Sequence, residues 1–354
     1  MIAIILGTRP EIIKMAPIIR ECQSRSLDHF VLHTGQHYSY QMDQVFFEEL
    51  ELPTPEYNLD VGSGTHAEQT GKIMAGVEKV LMDRRPDVVL VQGDTNTVLA
   101  GALAASKLHI KVGHVEAGLR SNDRSMPEEI NRIVADHISD YLFAPTENSK
   151  DNLLKEGISE EKVHVTGNTI VDSVYQNLEI SKKKANVLEK LGLKPKEYFL
   201  VTAHRAENVD NPERLGEIIK GLRLVGKEFS LPVMFPMHPR TRKMAAEFGF
   251  EFDGIRAIEP LGFLKFLQLE ANARLALTDS GGVQEEACIL GVPCVTLREN
   301  TERPETVAVN SSILVGANSA RIFDGAELMM GNDHQWTNPF GDGTAGRQII
   351  NILS

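Results

Sequence analysis

The chain is short of cysteine, of positive charge and of long apolar runs. Its three cysteines, Cys22, Cys288 and Cys294, are odd in number and form no CxxC pair. That suits a reducing compartment and buried thiols behaving as small hydrophobes. Lys and Arg number 37 against 49 Asp and Glu, a net charge of -12 in 354 residues. Such a balance argues against an electrostatic grip on nucleic acid or an acidic membrane, so any bound phosphate must meet a local positive pocket. No run approaches the length of a membrane span, and Met1 to Gly7 is too short for a signal peptide and lacks its flanks, so a cytoplasmic location is expected. The turn Gly7-Thr8-Arg9-Pro10-Glu11 lacks the G-x-G-x-x-G spacing, which speaks against a nicotinamide cofactor. His33 and His37 are four apart but lie at a predicted strand end and in a loop with no third ligand nearby, so no metal site is expected.

What is present is an alternation of strands and helices, in a chain long enough for two domains. Apolar runs at 1–6, 30–32, 88–91, 112–115 and 141–144 predict buried strands of a parallel sheet. Helical patterns follow Gly7 and cover about 40–50, 67–82, 95–108 and 127–138, and Pro17 should kink or restart the first of them. The stretch 51–66, rich in Pro and Gly, predicts a loop over the cleft, long enough to point to mobility or function. The alternation then restarts, with strands at 198–202, 232–235, 256–258, 275–278 and 293–297 and a helix at 212–228. A polar, Lys-rich stretch at 181–195 marks the surface between the halves, and 346–353 predicts a last short helix. The expected class is α/β, with two Rossmann-like domains facing a central cleft that holds a ligand.

In open parallel sheets ligands sit beyond the carboxyl ends of the strands. Polar residues fall there repeatedly: Arg9 and Lys14 after the first strand, Asp94 after 88–91, Glu116 after 112–115, His204 and Arg205 after 198–202, and Ser280 after 275–278, with Glu128 at a helix start. Ser280-Gly281-Gly282, between a strand and a helix, is a ready anion site, with Arg303 as a cationic arm. Each has an ordinary alternative. Ser-Gly-Gly makes a tight connection, Glu128 and Glu129 suit a first helical turn, and Asp94 suits an N-cap. His204 suits a structural histidine, and Arg9 and Lys14 suit solvated surface charges. Capping does not, however, explain Glu116, Arg9 and His204 at strand ends as well. Cations and a helix N-terminus would hold a diphosphate, while three carboxylates and a histidine exceed what binding needs. They make sense where positive charge develops as a sugar loses its anomeric phosphate.

Several motifs together resemble one family. They are Gly7-Thr8-Arg9-Pro10-Glu11 with Lys14, Gln92-Gly93-Asp94-Thr95, Gly113-His114-Val115-Glu116-Ala117-Gly118-Leu119-Arg120 and Pro127-Glu128-Glu129-Ile130-Asn131-Arg132. Thr166-Gly167-Asn168-Thr169, Ala203-His204-Arg205, Asp279 to Glu286, Thr301-Glu302-Arg303-Pro304-Glu305 and Asn338-Pro339-Phe340-Gly341-Asp342-Gly343 continue the match to nearly the chain's end. The chain resembles the non-hydrolysing UDP-N-acetylglucosamine 2-epimerases. The resemblance implies a glycosyltransferase-B-like fold, with a first domain over 1–168 joined by the C-terminal helix at about 345–354, and a UDP-binding domain over 169–344. It implies a homodimer, a UDP-sugar substrate, and no metal or redox cofactor. The implied reaction interconverts UDP-N-acetylglucosamine and UDP-N-acetylmannosamine through anti elimination of UDP to 2-acetamidoglucal and re-addition. Carried over by motif, Asp94, Glu116 and Glu128 are the acid/base and charge-stabilising carboxylates, with His204 beside the phosphates. Arg9, Lys14, Ser280, Gly281, Gly282 and Arg303 bind the diphosphate, Glu286 the ribose hydroxyls, and the Phe266 region the uracil. The resemblance does not say which carboxylate takes the carbon 2 proton.

Two positions depart from the family pattern. Ala206 stands where many bacterial members carry a second arginine associated with allosteric substrate binding, so activation by substrate is not carried over. Leu261 stands where some relatives have a polar residue, so a uracil contact there would use the backbone. The rival readings are a hydrolysing epimerase, a glycosyltransferase of the same architecture, an epimerase of a modified UDP-sugar, and a nucleotide-sugar sensor without turnover. The sensor has no use for the surplus carboxylates.

Overall fold

The computed structural model describes residues 1–36, 40–331 and 335–354, with residues 40–43 in backbone only. The chain divides into two compact units, residues 1–176 with 340–354, and residues 177–339. Each is built on a wholly parallel sheet, so the expected α/β class with two Rossmann-like halves is the class observed.

In the first unit the order is β1 (Ile2–Leu6), α1 (Arg9–Ser24), β2 (His29–His33), α2 (Tyr40–Glu49), β3 (Tyr57–Asn58), α3 (His66–Arg84), β4 (Val88–Gln92) and α4 (Asn96–Lys107). It continues with β5 (Lys111–Val115), α5 (Pro127–Ile138), β6 (Tyr141–Ala144), α6 (Glu147–Lys155) and β7 (Val163–Val165), and α7 (Thr169–Lys184) runs across the division at 176/177. The strands lie in the order β3-β2-β1-β4-β5-β6-β7. Ile4 on β1 pairs with Val31 on one side and Leu90 on the other. Every residue of β1 and β4 is buried, which is why β1 and the first four residues of β4 are apolar runs rather than alternating ones. Ala3, Ile5, Val89, Val91, Ile73 and Val98 share one core. The strand order reverses between β1 and β4, so the connections leave in opposite directions and open a crevice at their carboxyl ends.

Two details, at Pro17 and in the stretch 51–66, differ from the sequence expectations. α1 does not restart at Pro17 but runs on to Ser24 with Pro17 buried inside it. The last helix of the chain, α16 (Ala345–Leu353), packs on α1. A Cβ at Gly346 would lie 3.1 Å from Pro17 Cβ, so glycine sets how closely the two helices approach. The stretch 51–66 is not loop throughout, because Tyr57–Asn58 adds the edge strand β3 through parallel pairing with Leu32 and His33. Of the His33/His37 pair, His33 is buried with its ring 6.0 Å from Phe47, and His37 lies outside the described residues.

In the second unit the end of α7 is followed by α8 (Val187–Leu191), so the Lys-rich stretch is partly helical. Next come β8 (Phe199–Thr202), α9 (Ala206–Val209), α10 (Pro212–Phe229), β9 (Val233–Pro236), α11 (Pro239–Glu247), β10 (Ile255–Ile258) and α12 (Phe263–Ala271). β11 (Leu275–Thr278), α13 (Gly281–Ile289), β12 (Cys294–Thr296), α14 (Pro304–Ala308), β13 (Ser312–Leu314) and α15 (Ser319–Gly331) complete it. Its six strands lie in the order β10-β9-β8-β11-β12-β13. Phe199, Val201, Leu222, Val233, Leu277 and Ile322 are among its core residues. The order reverses between β8 and β11, the second place in the chain where a crevice is expected. Among the described residues no helix is long and apolar enough to cross a membrane.

Candidate active site

The end of β1 turns tightly into α1 at Gly7. A Cβ there would lie 2.1 Å from Thr34 Oγ1 and 2.3 Å from Thr97 Oγ1, two buried hydroxyls 2.8 Å apart, so this position has room only for glycine. Glu11, one turn into α1, reaches back over the turn. Its Oε2 accepts the Gly7 N–H at 2.9 Å and its Oε1 accepts the Thr95 hydroxyl at 2.8 Å, clamping the ends of β1 and β4 together. Burial pushes the Glu11 carboxyl up to about 7 in spite of these hydrogen bonds. Arg9, half-buried, places its guanidinium 5.5 Å from the Phe46 ring centre, a cation–π contact.

Asp94 follows β4 and is not the N-cap of α4. Thr95 is, accepting the Val98 N–H. The Asp94 carboxylate forms an ion pair with Arg132, and its carbonyl accepts from Asn131 at 2.9 Å. Arg132 also donates to Glu129 at 2.7 Å. Glu129 is almost fully buried and takes the backbone N–H groups of Ser121 and Asn122 at 3.0 Å each. Burial works to raise Glu129, but these N–H groups and Arg132 outweigh it and hold the carboxylate below its ordinary range. Its neighbour Glu128 is exposed in the first turn of α5, where the helix dipole favours a negative charge.

Glu116 follows β5 with φ of +70°, a left-handed conformation that non-glycine residues adopt rarely and mostly under functional constraint. The N–H groups of Glu116 and Ala117 both point to the Phe143 carbonyl at 3.1 Å. Lys14 Nζ lies 2.7 and 2.6 Å from the two Glu116 oxygens, and the Gln92 amide donates to Oε2 as well. Beneath this turn His114 is wholly buried, with Nδ1 2.6 Å from Asp136 and Nε2 2.8 Å from the Gly93 carbonyl. Both partners are acceptors, so both ring nitrogens donate. Burial alone would lower His114, but Asp136 and the Gly93 carbonyl hold it above its ordinary value. Asp136 also accepts the Gly118 N–H at 3.2 Å and pairs with Arg120 at 2.7 Å. One buried carboxylate thereby fixes the turns that carry Asp94 and Glu116.

In the second unit the matching positions are held by Asp279, which is fully buried at the end of β11. It accepts the backbone N–H groups of His204 and Arg205 at about 3.0 Å and the Asn208 amide at 3.2 Å, and the His204 ring lies 3.3 Å away. Burial opposes the charge, yet His204 and these donors keep Asp279 below its ordinary value. His204 remains 42% exposed in its side chain, so it can meet a ligand while tethered. Ser280 caps α13, its Oγ accepting the Val283 N–H at 3.4 Å, and the amides of Gly281 and Gly282 begin the helix beside it. Arg303 stands against Glu285 at 3.1 Å, and Gln284 ties α13 to the Arg303 loop through Thr301 and Thr306 at 2.7 and 2.6 Å. Phe266 and Glu286 lie half-buried on α12 and α13.

Within the first unit, then, Arg9, Lys14, Asp94 and Glu116 come from one row of strand ends, and Lys14 and Glu116 touch. Within the second, His204, Ser280, Gly281 and Gly282 converge at the ends of β8 and β11. The sequence reading singled out none of Glu11, Gln92, His114, Glu129, Arg132, Asp136 and Asp279 as site residues. One signal was available for three of them: Glu129, Arg132 and Asp136 follow at spacings of three and four on α5, which places them on one helix face.

Two doubly wound units, each with ionic groups gathered at a strand-order reversal, define a nucleotide-binding α/β enzyme. The comparisons narrow the class. The family model for UDP-N-acetylglucosamine 2-epimerase matches residues 20–354. The UDP-N-acetylglucosamine 2-epimerase of Methanocaldococcus jannaschii is 58% identical, over 100% of this chain and 98% of that protein. The UDP-2,3-diacetamido-2,3-dideoxy-D-glucuronate 2-epimerase of Pseudomonas aeruginosa is 40% identical, over 99% of this chain and 98% of that protein. A crystal structure of the M. jannaschii enzyme in complex with UDP-GlcNAc and UDP superimposes with a TM-score of 0.86 at 58% identity, covering 99% of each chain. The chain belongs to the UDP-N-acetylglucosamine 2-epimerase family and has the glycosyltransferase-B-like fold of its members.

Proposed function

We propose that this chain interconverts UDP-N-acetylglucosamine and UDP-N-acetylmannosamine by breaking and remaking the anomeric carbon–oxygen bond. The supporting observation is the pairing of Asp94 with Arg132 and of Glu116 with Lys14 at the ends of neighbouring strands. A unit that only bound an anion has no use for carboxylates facing the cations beside its strand ends. In the proposed reaction a base removes the proton from carbon 2 while UDP departs from carbon 1, leaving 2-acetamidoglucal. A proton is then returned to carbon 2 from the opposite face as UDP re-adds at carbon 1. Asp94, Glu116 and Glu128 move the protons and face the positive charge that develops on the ring. Ser280, Gly281, Gly282, Arg9, Lys14, Arg303 and His204 hold the departing diphosphate, Glu286 the ribose and Phe266 the uracil. Asp279 would keep His204 beside the phosphates by the contacts described above. The working form is a cytoplasmic homodimer that uses no metal or redox cofactor.

The test is incubation with UDP-N-acetylglucosamine in deuterated water, followed at carbon 2 by NMR. Deuterium should appear at carbon 2 together with UDP-N-acetylmannosamine. A folded, UDP-binding sample without exchange refutes the proposal, and free N-acetylmannosamine as the main product would assign the chain to hydrolysing chemistry. Turnover of a diacetamido uronate nucleotide in place of UDP-N-acetylglucosamine would move the substrate, not the mechanism.

A further inference from the structure

Glu270 lies near the end of α12 with its side chain wholly out of solvent. Leu269, Ala273, Ala287, Val292 and Cys294 belong to one buried apolar cluster of this unit, and Cys294 lies close enough to Glu270 to feel its charge. Among the described residues no N–H or hydroxyl group reaches either of its carboxyl oxygens. Its carboxyl group instead meets that of Glu286, on α13. An ionised carboxylate in such a place is strongly disfavoured, because it is desolvated, has no donor and faces a like charge. The neutral acid is not disfavoured: it has one O–H to donate, and the Glu286 carboxylate is the acceptor. Burial, followed by the charge of Glu286, raises Glu270 well above its ordinary value, in agreement with that arrangement.

The placement gives the pair a use. Glu286 is one helical turn beyond Gly282, so its side chain leans back along α13 toward the glycine turn at the helix start. Phe266 is one turn before Glu270 on the same face of α12. Phe266, Glu286 and the glycine turn, assigned above to uracil, ribose and part of the phosphate cradle, thus lie on two helices that meet at the carboxyl pair.

We propose that Glu270 is a positioning residue for nucleotide recognition: as a neutral acid it donates its O–H to Glu286, fixing that carboxylate so that its remaining lone pairs accept the vicinal hydroxyls of the ribose. This rests on the reading that Glu286 binds the ribose. Without that donor the Glu286 carboxylate loses one of the contacts that orient it, which lowers the affinity for a ribose that has both hydroxyls.

The test compares UDP with 2′,3′-dideoxy-UDP by calorimetry on the full chain, in wild type, Glu270→Gln, Glu270→Met and Glu286→Ala. Glu270→Gln keeps a donor in the same volume and should retain the wild-type preference for UDP. Glu270→Met fills the space without a donor and should lose about tenfold in UDP affinity, with dideoxy-UDP affinity unchanged. A wild-type preference in Glu270→Met, or an equal loss for both ligands, overturns the proposal, the second by showing that Glu270 only supports the fold. Glu286→Ala separates the two layers. If it still prefers UDP as wild type does, the ribose assignment itself fails. If it loses the preference while Glu270→Met keeps it, only the positioning role fails. An infrared band of a protonated carboxyl, present in wild type and lost in Glu270→Gln, is expected as well, and its absence also overturns the proposal.

Discussion

Replacing Glu11 by Gln should make the stability of the first unit less sensitive to alkali. Glu11 is buried with two donors, yet its carboxyl is pushed from an ordinary 4.5 up to about 7. Between those values the unfolded chain has released this proton while the folded chain still holds it. The unfolded state then binds fewer protons, so stability falls as pH rises and levels off once the folded group ionises. At about 1.4 kcal/mol per pH unit, the loss from about pH 4 to about pH 8 is roughly 3 kcal/mol. Gln has no such titration. Its one oxygen accepts from either Gly7 N–H or the Thr95 hydroxyl, and its NH2 group faces the other donor, which costs about 1 kcal/mol at every pH. Glu11→Gln should therefore be less stable than wild type near pH 4 by about 1 kcal/mol and more stable near pH 8 by about 2 kcal/mol. Urea unfolding combined with amide hydrogen exchange at β1 reads the difference where it arises. A difference between the two proteins that stays constant from acid to alkali would show that the folded and unfolded chains release the Glu11 proton at the same pH.

Two further outcomes follow from named contacts. Asp94→Asn breaks the ion pair with Arg132 but leaves the α13 cradle alone, so turnover should disappear while UDP affinity stays nearly intact; a large loss of UDP binding would show that Asp94 belongs to binding. Asp172 accepts the Ala345 and Gly346 N–H groups at 3.2 and 3.0 Å, anchoring the start of α16 on the first unit. Asp172→Ala leaves both donors without that acceptor, and a loss of about 1–3 kcal/mol should appear as faster hydrogen exchange and proteolysis of the C-terminal helix; unchanged protection would refute the anchor.

The parts of the fold that could be read from the sequence were those where one physical demand dominates. β1 and β4 are buried on both faces, so apolar residues fill them up to Gln92 at the end of β4, and their limits follow within a residue. The short strands β3, β7 and β13 carry two or three residues each at or near sheet edges, and pairing with a neighbour creates them rather than any run of their own. Pro17 removes one hydrogen bond from α1, which argues for a break, but the packing of Gly346 against it belongs to a helix more than three hundred positions later. No local pattern contains that contact.

The same distinction explains what the site kept hidden. A carboxylate at a strand end is visible in sequence because the strand is visible. The partner that balances it is not, since Lys14 and Glu116 are 102 positions apart and Arg132 and Asp94 are 38 apart. Glu128 and Glu129 show the limit most plainly. They are chemically identical neighbours roughly 100° apart around α5, and only the position of the 121–122 turn makes one a buried acceptor and leaves the other in solvent. In the proposed reaction that exposure is what Glu128 offers: its carboxylate stands open to a substrate, whereas Glu129 is committed to holding Arg132 against Asp94. The proposal thereby divides reactivity and anchorage between adjacent residues, with the buried one fixing the geometry that the exposed one needs.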